Sequence, residues 1–214
     1  MAQSPTVANP IIKHLFATPL IITELPPDIA AETNARLVKL LLQMEKEMPS
    51  QNASNRGGWQ SDDKILQWAA VEVAPVMSAF KQIINQVTVG VNRAGVTRGE
   101  VNWKINGWAN INRKGNANAT HIHPGAYWSA VYYVMAGDDE QGGAFQAFDP
   151  RGGLPLMYAP TLRIGLEGYM NAGNSETHRP REGQCLLFPS WLPHAVTPYT
   201  GDGTRISLAF NFCI

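Results

Sequence analysis

The sequence has no run of 18 apolar residues, so nothing in it reads as a transmembrane helix. It also lacks an excess of either charge. Seventeen Lys and Arg stand against 17 Asp and Glu, which removes any general field for nucleic acid or an anionic membrane. Any anion site must therefore be local. The first ten residues, Met1 to Pro10, offer neither the basic flank nor the apolar stretch of a signal peptide. Cysteine is scarce: Cys185 and Cys213 both sit in apolar, strand-like runs. Two free, buried thiols in a cytoplasmic protein are the expectation. The Asn-x-Ser/Thr triplets at Asn52 and Asn118 then carry no glycosylation meaning.

What is present is an ordinary globular balance, 44% hydrophobic and 16% charged residues in a chain of 214. That length suits one domain. Residues 1–98 read as an N-terminal strand with supporting helices, and 99–214 as a β core. Lys13 to Glu24 reads as a strand broken at Pro19. Asp28 is placed to cap a helix running to about Met48, with Leu37, Leu40, Leu41 and Met44 at helical spacing. Polar Ser50 to Gly58 reads as a loop. A second helical region spans about Asp63 to Val87, where Pro75 kinks or restarts it. After Gly99, short aromatic and β-branched runs alternate with turn residues. They predict strands near 100–112, 126–136, 143–149, 162–170, 184–189, 193–198 and 204–213. A helical third followed by many short strands suggests a jelly-roll double sheet with helices packed on one face.

Of five histidines, two form His121-Ile122-His123. Such a pair arises by chance in about one chain in ten of this composition. On a strand, positions i and i+2 share a face, so the two rings could chelate one ion. They could equally be ordinary surface or core histidines. Pro124 ends strand pairing and puts the pair at a strand end or barrel mouth. His194 follows a buried strand and a turn carrying Pro189 and Pro193. It is either a structural histidine or a third imidazole completing a facial set, which would leave up to three open positions on an octahedral metal. In the last strand only Arg205, Ser207 and Asn211 are polar, and all three have one parity. A buried guanidinium must be paired. Its partner is either the carboxylate of a ligand, with Ser207 as a further donor, or an internal acid such as Asp149 or Glu167.

Several segments, in order, carry a family resemblance: Trp108-Ala109-Asn110, His121-Ile122-His123-Pro124, Ser129 to Val134, Gly142-Gly143-Ala144-Phe145, Phe148-Asp149-Pro150-Arg151, Gly183 to Val196 and Arg205 to Phe212. In these the chain resembles the 2-oxoglutarate/iron(II) dioxygenase superfamily, which includes the prolyl hydroxylases. It is most similar to a bacterial and phage subfamily with a His-x-His-Pro motif. The resemblance implies a mainly β fold, a double-stranded β-helix with N-terminal helices packed on one sheet. It implies Fe(II) on His121, His123 and His194, with 2-oxoglutarate and O2 as co-substrates. It implies Arg205 on the distal carboxylate of 2-oxoglutarate, with Ser207 and Tyr133 in that pocket and Asn110 as another co-substrate contact. No side chain beyond the metal ligands is assigned a catalytic role. Most of the superfamily has Asp or Glu where this chain has His123. A third imidazole leaves the metal more positive. If His123 instead swung away, an extra position would open, but halogenases of the superfamily replace the acid by a small residue.

The implied reaction is hydroxylation of an unactivated C–H of an amino acid, peptide or small metabolite, with release of succinate and CO2. The alternatives are a three-histidine cupin-type enzyme, which Arg205 and Ser207 argue against, and a non-catalytic jelly roll that binds sugar or builds a virion. Partners are a small-molecule or peptidyl substrate, without nucleic acid or membrane. A homodimer is compatible with the sequence, which does not set the oligomeric state. Asp138-Asp139-Glu140 reads as a solvated turn.

Overall fold

Two adjacent prolines set the start of helix α1 (Pro27–Glu47). Pro26 occupies the N-cap without a side-chain cap, and Pro27 takes the first helical position, where a missing N–H costs nothing. Asp28 is therefore not the cap expected from the sequence. It lies in the first turn, where its charge faces the positive end of the helix dipole. Met48 ends the helix in an extended conformation, its N–H donating to Met44 O. The second helical region splits into α2 (Ile65–Trp68) and α3 (Ala70–Val87). The break falls at Ala69, and Pro75 lies inside α3. Pro75 withholds an N–H from the carbonyl of Val71, and Val71 is an exposed residue, so water can meet that carbonyl.

The computed structural model describes residues 15–51, 53–92, 95–97, 101–137, 142–152 and 175–214. The strand expected near 162–170, the Asp138-Asp139-Glu140 turn and the start of the Lys13–Glu24 strand lie outside them. The strands are β1 (Ile21–Glu24), β2 (Asn55–Arg56), β3 (Trp59–Gln60), β4 (Gly90–Asn92), β5 (Gly95–Thr97), β6 (Lys104–Asn112), β7 (Ala117–His121), β8 (Trp128–Met135), β9 (Phe145–Phe148), β10 (Ser175–His178), β11 (Gln184–Pro189), β12 (His194–Val196) and β13 (Arg205–Cys213). They form a six-stranded sheet, ordered β1-β11-β8-β13-β6-β3, and a five-stranded sheet, ordered β10-β9-β12-β7-β2. β4 and β5 make a separate hairpin. The two larger sheets are antiparallel throughout and correspond to a jelly roll.

Alternation along β13 explains how the sheet serves two purposes. Ile206, Leu208, Phe210 and Phe212 are fully or almost fully buried and join the core with Leu37, Leu41, Val73, Val76, Phe80 and Ile84 of the helices. Phe80 packs on Phe210 and Phe212 with ring centroids 5.8 and 6.3 Å apart. Each such side chain contributes about 1.5–3 kcal/mol by leaving water. Tyr132 reaches from the same face to donate to Asn34 Oδ1 of α1 at 2.7 Å. Arg205, Ser207, Ala209 and Asn211 alternate with that set and face the opposite way, between the two sheets. Among the described helices, none is long and apolar enough to cross a membrane.

Candidate active site

The inner row of β13 is matched across the sheet by its neighbours. Arg205 stands opposite Asn112 of β6, Ser207 opposite Asn110, and Asn211 opposite Asn106. On the other side Ser207 pairs with Tyr133 of β8, and Asn211 with Ser129. The register shifts between Ile206 and Ser207, a bulge beside the arginine. Facing this row, β12 brings His194 directly opposite His121 of β7, with a second bulge between His194 and Val196. Strand β7 ends at His121, so His123 is not its strand partner. The expectation of two histidines on one strand is corrected in that respect: the turn after β7 supplies His123.

These three histidines converge. Their ligand-capable nitrogens all lie within 4.8 Å of one another. Nδ1 of His121 lies 2.7 Å from the carbonyl of Ala119, and Nδ1 of His194 lies 2.8 Å from the carbonyl of Leu192. A carbonyl only accepts, so each Nδ1 carries the proton and each Nε2 keeps a lone pair. Nε2 of His123 and Nε2 of His194 are 3.2 Å apart. Two ligands at right angles on an ion with bonds of roughly 2.1 Å would be about 3 Å apart. The donor set thus fits a divalent metal with open positions.

The site keeps its rings neutral. Burial pulls His194 down to about 3 and His123 to about 4, each also disfavoured by the neighbouring His121. His121 is lowered for the same first reason, burial, which its bond to Ala119 O opposes. Metal ligation requires the unprotonated ring, so these shifts hold the site ready. They also carry a stability consequence. The folded pKa values lie below the unfolded value near 6.5, so the unfolded chain binds protons first as pH falls. The metal-free protein is therefore expected to lose stability from about pH 6.5 down toward pH 4, by up to about 1.4 kcal/mol per pH unit for each of His123 and His194, with His121 acting in the same direction. Calorimetry between pH 7 and 5, before most carboxylates titrate, checks this. A flat melting temperature across that range would contradict the neutral cluster.

Arg205 is almost completely buried, as are Tyr133 and Ser207. Its Nε donates to Gly143 O at 3.0 Å and Nη1 to Ser207 Oγ at 3.3 Å, and the guanidinium carbon lies 5.4 Å from the Tyr133 ring centre. Neither acid suggested by the sequence takes it among the described residues: Asp149 pairs with Arg151, and Glu167 falls outside them. No described carboxylate meets this guanidinium. Burial pushes the Tyr133 phenol up to about 12, against the pull of the arginine, so it stays a neutral O–H. Asn110 lines the same cavity, and its buried Oδ1 has no hydrogen-bond partner among the described residues. Trp108 forms a wall, its ring 5.6 Å from His123.

Sequence reasoning missed Gly143 and the pairing of Ser129 with Ser190 and Asn211. The doubled Gly142-Gly143 was the available signal for the first. Polar residues inside apolar strands were the signal for the second.

A jelly roll with inward-facing imidazoles and a buried cation between its sheets belongs to the metal-dependent jelly-roll enzymes. Residues 106–211, roughly half the chain, match the family described as "Putative 2OG-Fe(II) oxygenase". The chain belongs to that family and is an Fe(II)- and 2-oxoglutarate-dependent oxygenase, with O2 as co-substrate. Solved structures share its fold at low identity. A prolyl-4-hydroxylase from Pseudomonas putida has 17% identity and TM-score 0.58, covering 91% of each chain. A Trichoplax adhaerens prolyl hydroxylase, in complex with a hypoxia inducible factor oxygen degradation domain peptide fragment, has 14% identity and TM-score 0.61 over 91% of this chain and 83% of that one. HygX from Streptomyces hygroscopicus, with nickel, 2-oxoglutarate and hygromycin B bound, has 14% identity and TM-score 0.54 over 92% and 83%. No curated protein matches the sequence at a significant level.

Proposed function

We propose that the protein hydroxylates an unactivated C–H bond of a small molecule or peptidyl substrate, on Fe(II) held by His121, His123 and His194. The observation that carries this reading is the buried Arg205 without a described carboxylate partner, across the cavity from three neutral imidazoles. A guanidinium in that setting calls for an anion. The distal carboxylate of 2-oxoglutarate answers it, with the Tyr133 phenol and the Ser207 hydroxyl as further donors. Asn110, next to Ser207 across the sheet, takes a further polar contact with the co-substrate. With Fe(II) bound, the chemistry supplied is O2 activation coupled to oxidative decarboxylation of 2-oxoglutarate, giving succinate, CO2 and a hydroxylated C–H.

The residues of the chain do the positioning. Arg205 and Ser207 fix one end of the co-substrate, so its orientation costs little entropy at the moment of reaction. The carbonyls of Ala119 and Leu192 hold two imidazoles in the tautomer that ligates. Trp108, Phe145 and Phe188 wall the chamber against water. The peptide fragment and the hygromycin B bound by two structural relatives support a substrate of either class.

Anaerobic titration of Fe(II)-loaded protein with 2-oxoglutarate tests the reading. A visible metal-to-ligand charge-transfer band is expected, and its absence would sink the proposal. Gly143 provides a check on the carboxylate pocket. It sits at φ +66°, and an added Cβ would lie 2.6 Å from Cδ and 2.8 Å from Nε of Arg205. The Gly143→Ala variant is expected to displace the arginine and weaken 2-oxoglutarate binding about tenfold, the equivalent of about 1.4 kcal/mol. It also pays about 1–2 kcal/mol for a left-handed alanine. Titration calorimetry and a melting curve measure both.

A further inference from the structure

Ser129 on β8 is buried to 2% exposure, and Ser190 to 1%, in the turn that leads into His194 and is bonded to the turn that carries His123. Such hydroxyls are costly there unless paired. Ser129 Oγ lies 3.0 Å from Ser190 Oγ and 3.1 Å from Asn211 Oδ1. A hydroxyl has one proton, and a carbonyl oxygen has none. Ser129 therefore donates to Asn211, and Ser190 donates to Ser129, in one directed chain. The Ser190 peptide is shared between the two turns. Its carbonyl accepts from the N–H of His123 at 3.0 Å, and its N–H donates to Tyr127 O at 3.1 Å. Ser190 also lies four residues before His194 on the turn between β11 and β12.

We infer that the Asn211–Ser129–Ser190 chain is a positioning device that holds His123 at ligating distance from His194. His123 is the ring that needs it. His194 and His121 are held by strand pairing and by Nδ1 bonds to carbonyls, whereas His123 lies past the end of β7. Its ring centre lies 5.6 Å from that of Trp108 and 4.9 Å from that of His121, its Nε2 lies 3.2 Å from Nε2 of His194, and its backbone is tied through Ser190. Asn211 and Ser129 lie on β13 and β8, the strands that also carry Arg205, Ser207 and Tyr133. The chain thus anchors the third ligand to the same rigid sheet that bears the co-substrate pocket. Ser129, Ser190 and Asn211 are positioning residues and touch no reacting atom. This inference rests on the metal centre proposed above.

The test uses Co(II) alone, titrated into the metal-free full chain and followed by its visible ligand-field bands, with the melting temperature recorded in parallel. Ser129→Ala and Asn211→Leu are each expected to weaken Co(II) binding by about tenfold or more, the range for partners that orient a ligand. Both should shift the bands toward fewer nitrogen ligands. Combining them should add little, because they interrupt one chain. Ser129→Thr keeps the hydroxyl and should restore the wild-type spectrum. Wild-type affinity and spectrum in both variants would overturn the inference, whatever their melting temperatures, since that pattern leaves the chain a purely structural role. If one variant does not fold, the other decides. Failure of the wild type itself to bind Co(II) would overturn the metal centre and this inference together.

Discussion

His194→Ala is expected to abolish metal binding, with affinity for Fe(II) or Co(II) falling by more than about 100-fold, the upper end of what loss of a mere orienting partner costs. His194 is the best-fixed member of the cluster. Strand β12 is paired on both sides at this residue, to His121 of β7 and to Ala147 of β9. Its ring packs between Phe145, 5.5 Å away at 24°, and Phe188, 4.7 Å away at 65°. Its Nδ1 is bound to Leu192 O. Only Nε2 is left, and it faces the other two rings. Without it two imidazoles remain, on a strand end and a turn, and no facial set exists. Truncating a buried ring of this size also opens a cavity, at a cost of roughly 3 kcal/mol. A second variant, His194→Leu, keeps most of the volume and separates the two effects. It should fold with a melting temperature closer to wild type and still fail to bind Co(II) by absorption titration. Wild-type affinity in a folded His194→Leu protein would mean the cluster is not a metal centre.

The sequence exposed this cluster because ligand chemistry is confined to few residue types, and five histidines leave little to choose among. The long core strands were legible for a related reason. β11 (Gln184–Pro189) and β13 (Arg205–Cys213) are apolar runs bounded by turn residues, and the expected spans of 184–189 and 204–213 meet them within a residue. Polar edges were not legible. β2 is two residues inside the Ser50–Gly58 stretch that reads as a loop, β3 is two residues just past it, and they pair with β7 and β6. β7 carries Asn118 and Thr120, and its strand character comes from pairing with β12 rather than from propensity. The N-cap of α1 was misplaced because Asp is a common cap, while two prolines can set a helix start without one. The carbonyl of Gly143 and the Ser129–Ser190–Asn211 chain join residues 61 to 82 positions apart, so no local pattern announces them.

Arg205→Met should make the ligand-free protein more stable and the liganded protein less so, two changes of opposite sign from one substitution. The guanidinium is buried in contact with Gly143 O, Ser207 Oγ and the Tyr133 ring, with no described carboxylate to balance it. Burial draws its pKa down, a sign that the charge is held at a cost. An apolar side chain of similar volume relieves that cost, and replacements of this kind commonly stabilise by about 1–4 kcal/mol. The co-substrate sees the reverse. Losing a buried charge-assisted partner costs about 2–5 kcal/mol of binding, roughly 30-fold to several thousand-fold in 2-oxoglutarate affinity. Wild-type protein with its metal should gain about 2.7 kcal/mol at a 2-oxoglutarate concentration of about 100 times its Kd, and Arg205→Met should gain no more than about 0.9 kcal/mol at that concentration. Metal affinity without co-substrate should change little, because the described contacts of Arg205 are with Gly143 O, Ser207 Oγ and the Tyr133 ring rather than with the three imidazoles. Melting curves with and without 2-oxoglutarate read both signs in one experiment. If the arginine instead served the fold alone, Arg205→Met would lower the ligand-free melting temperature and leave the 2-oxoglutarate increment intact.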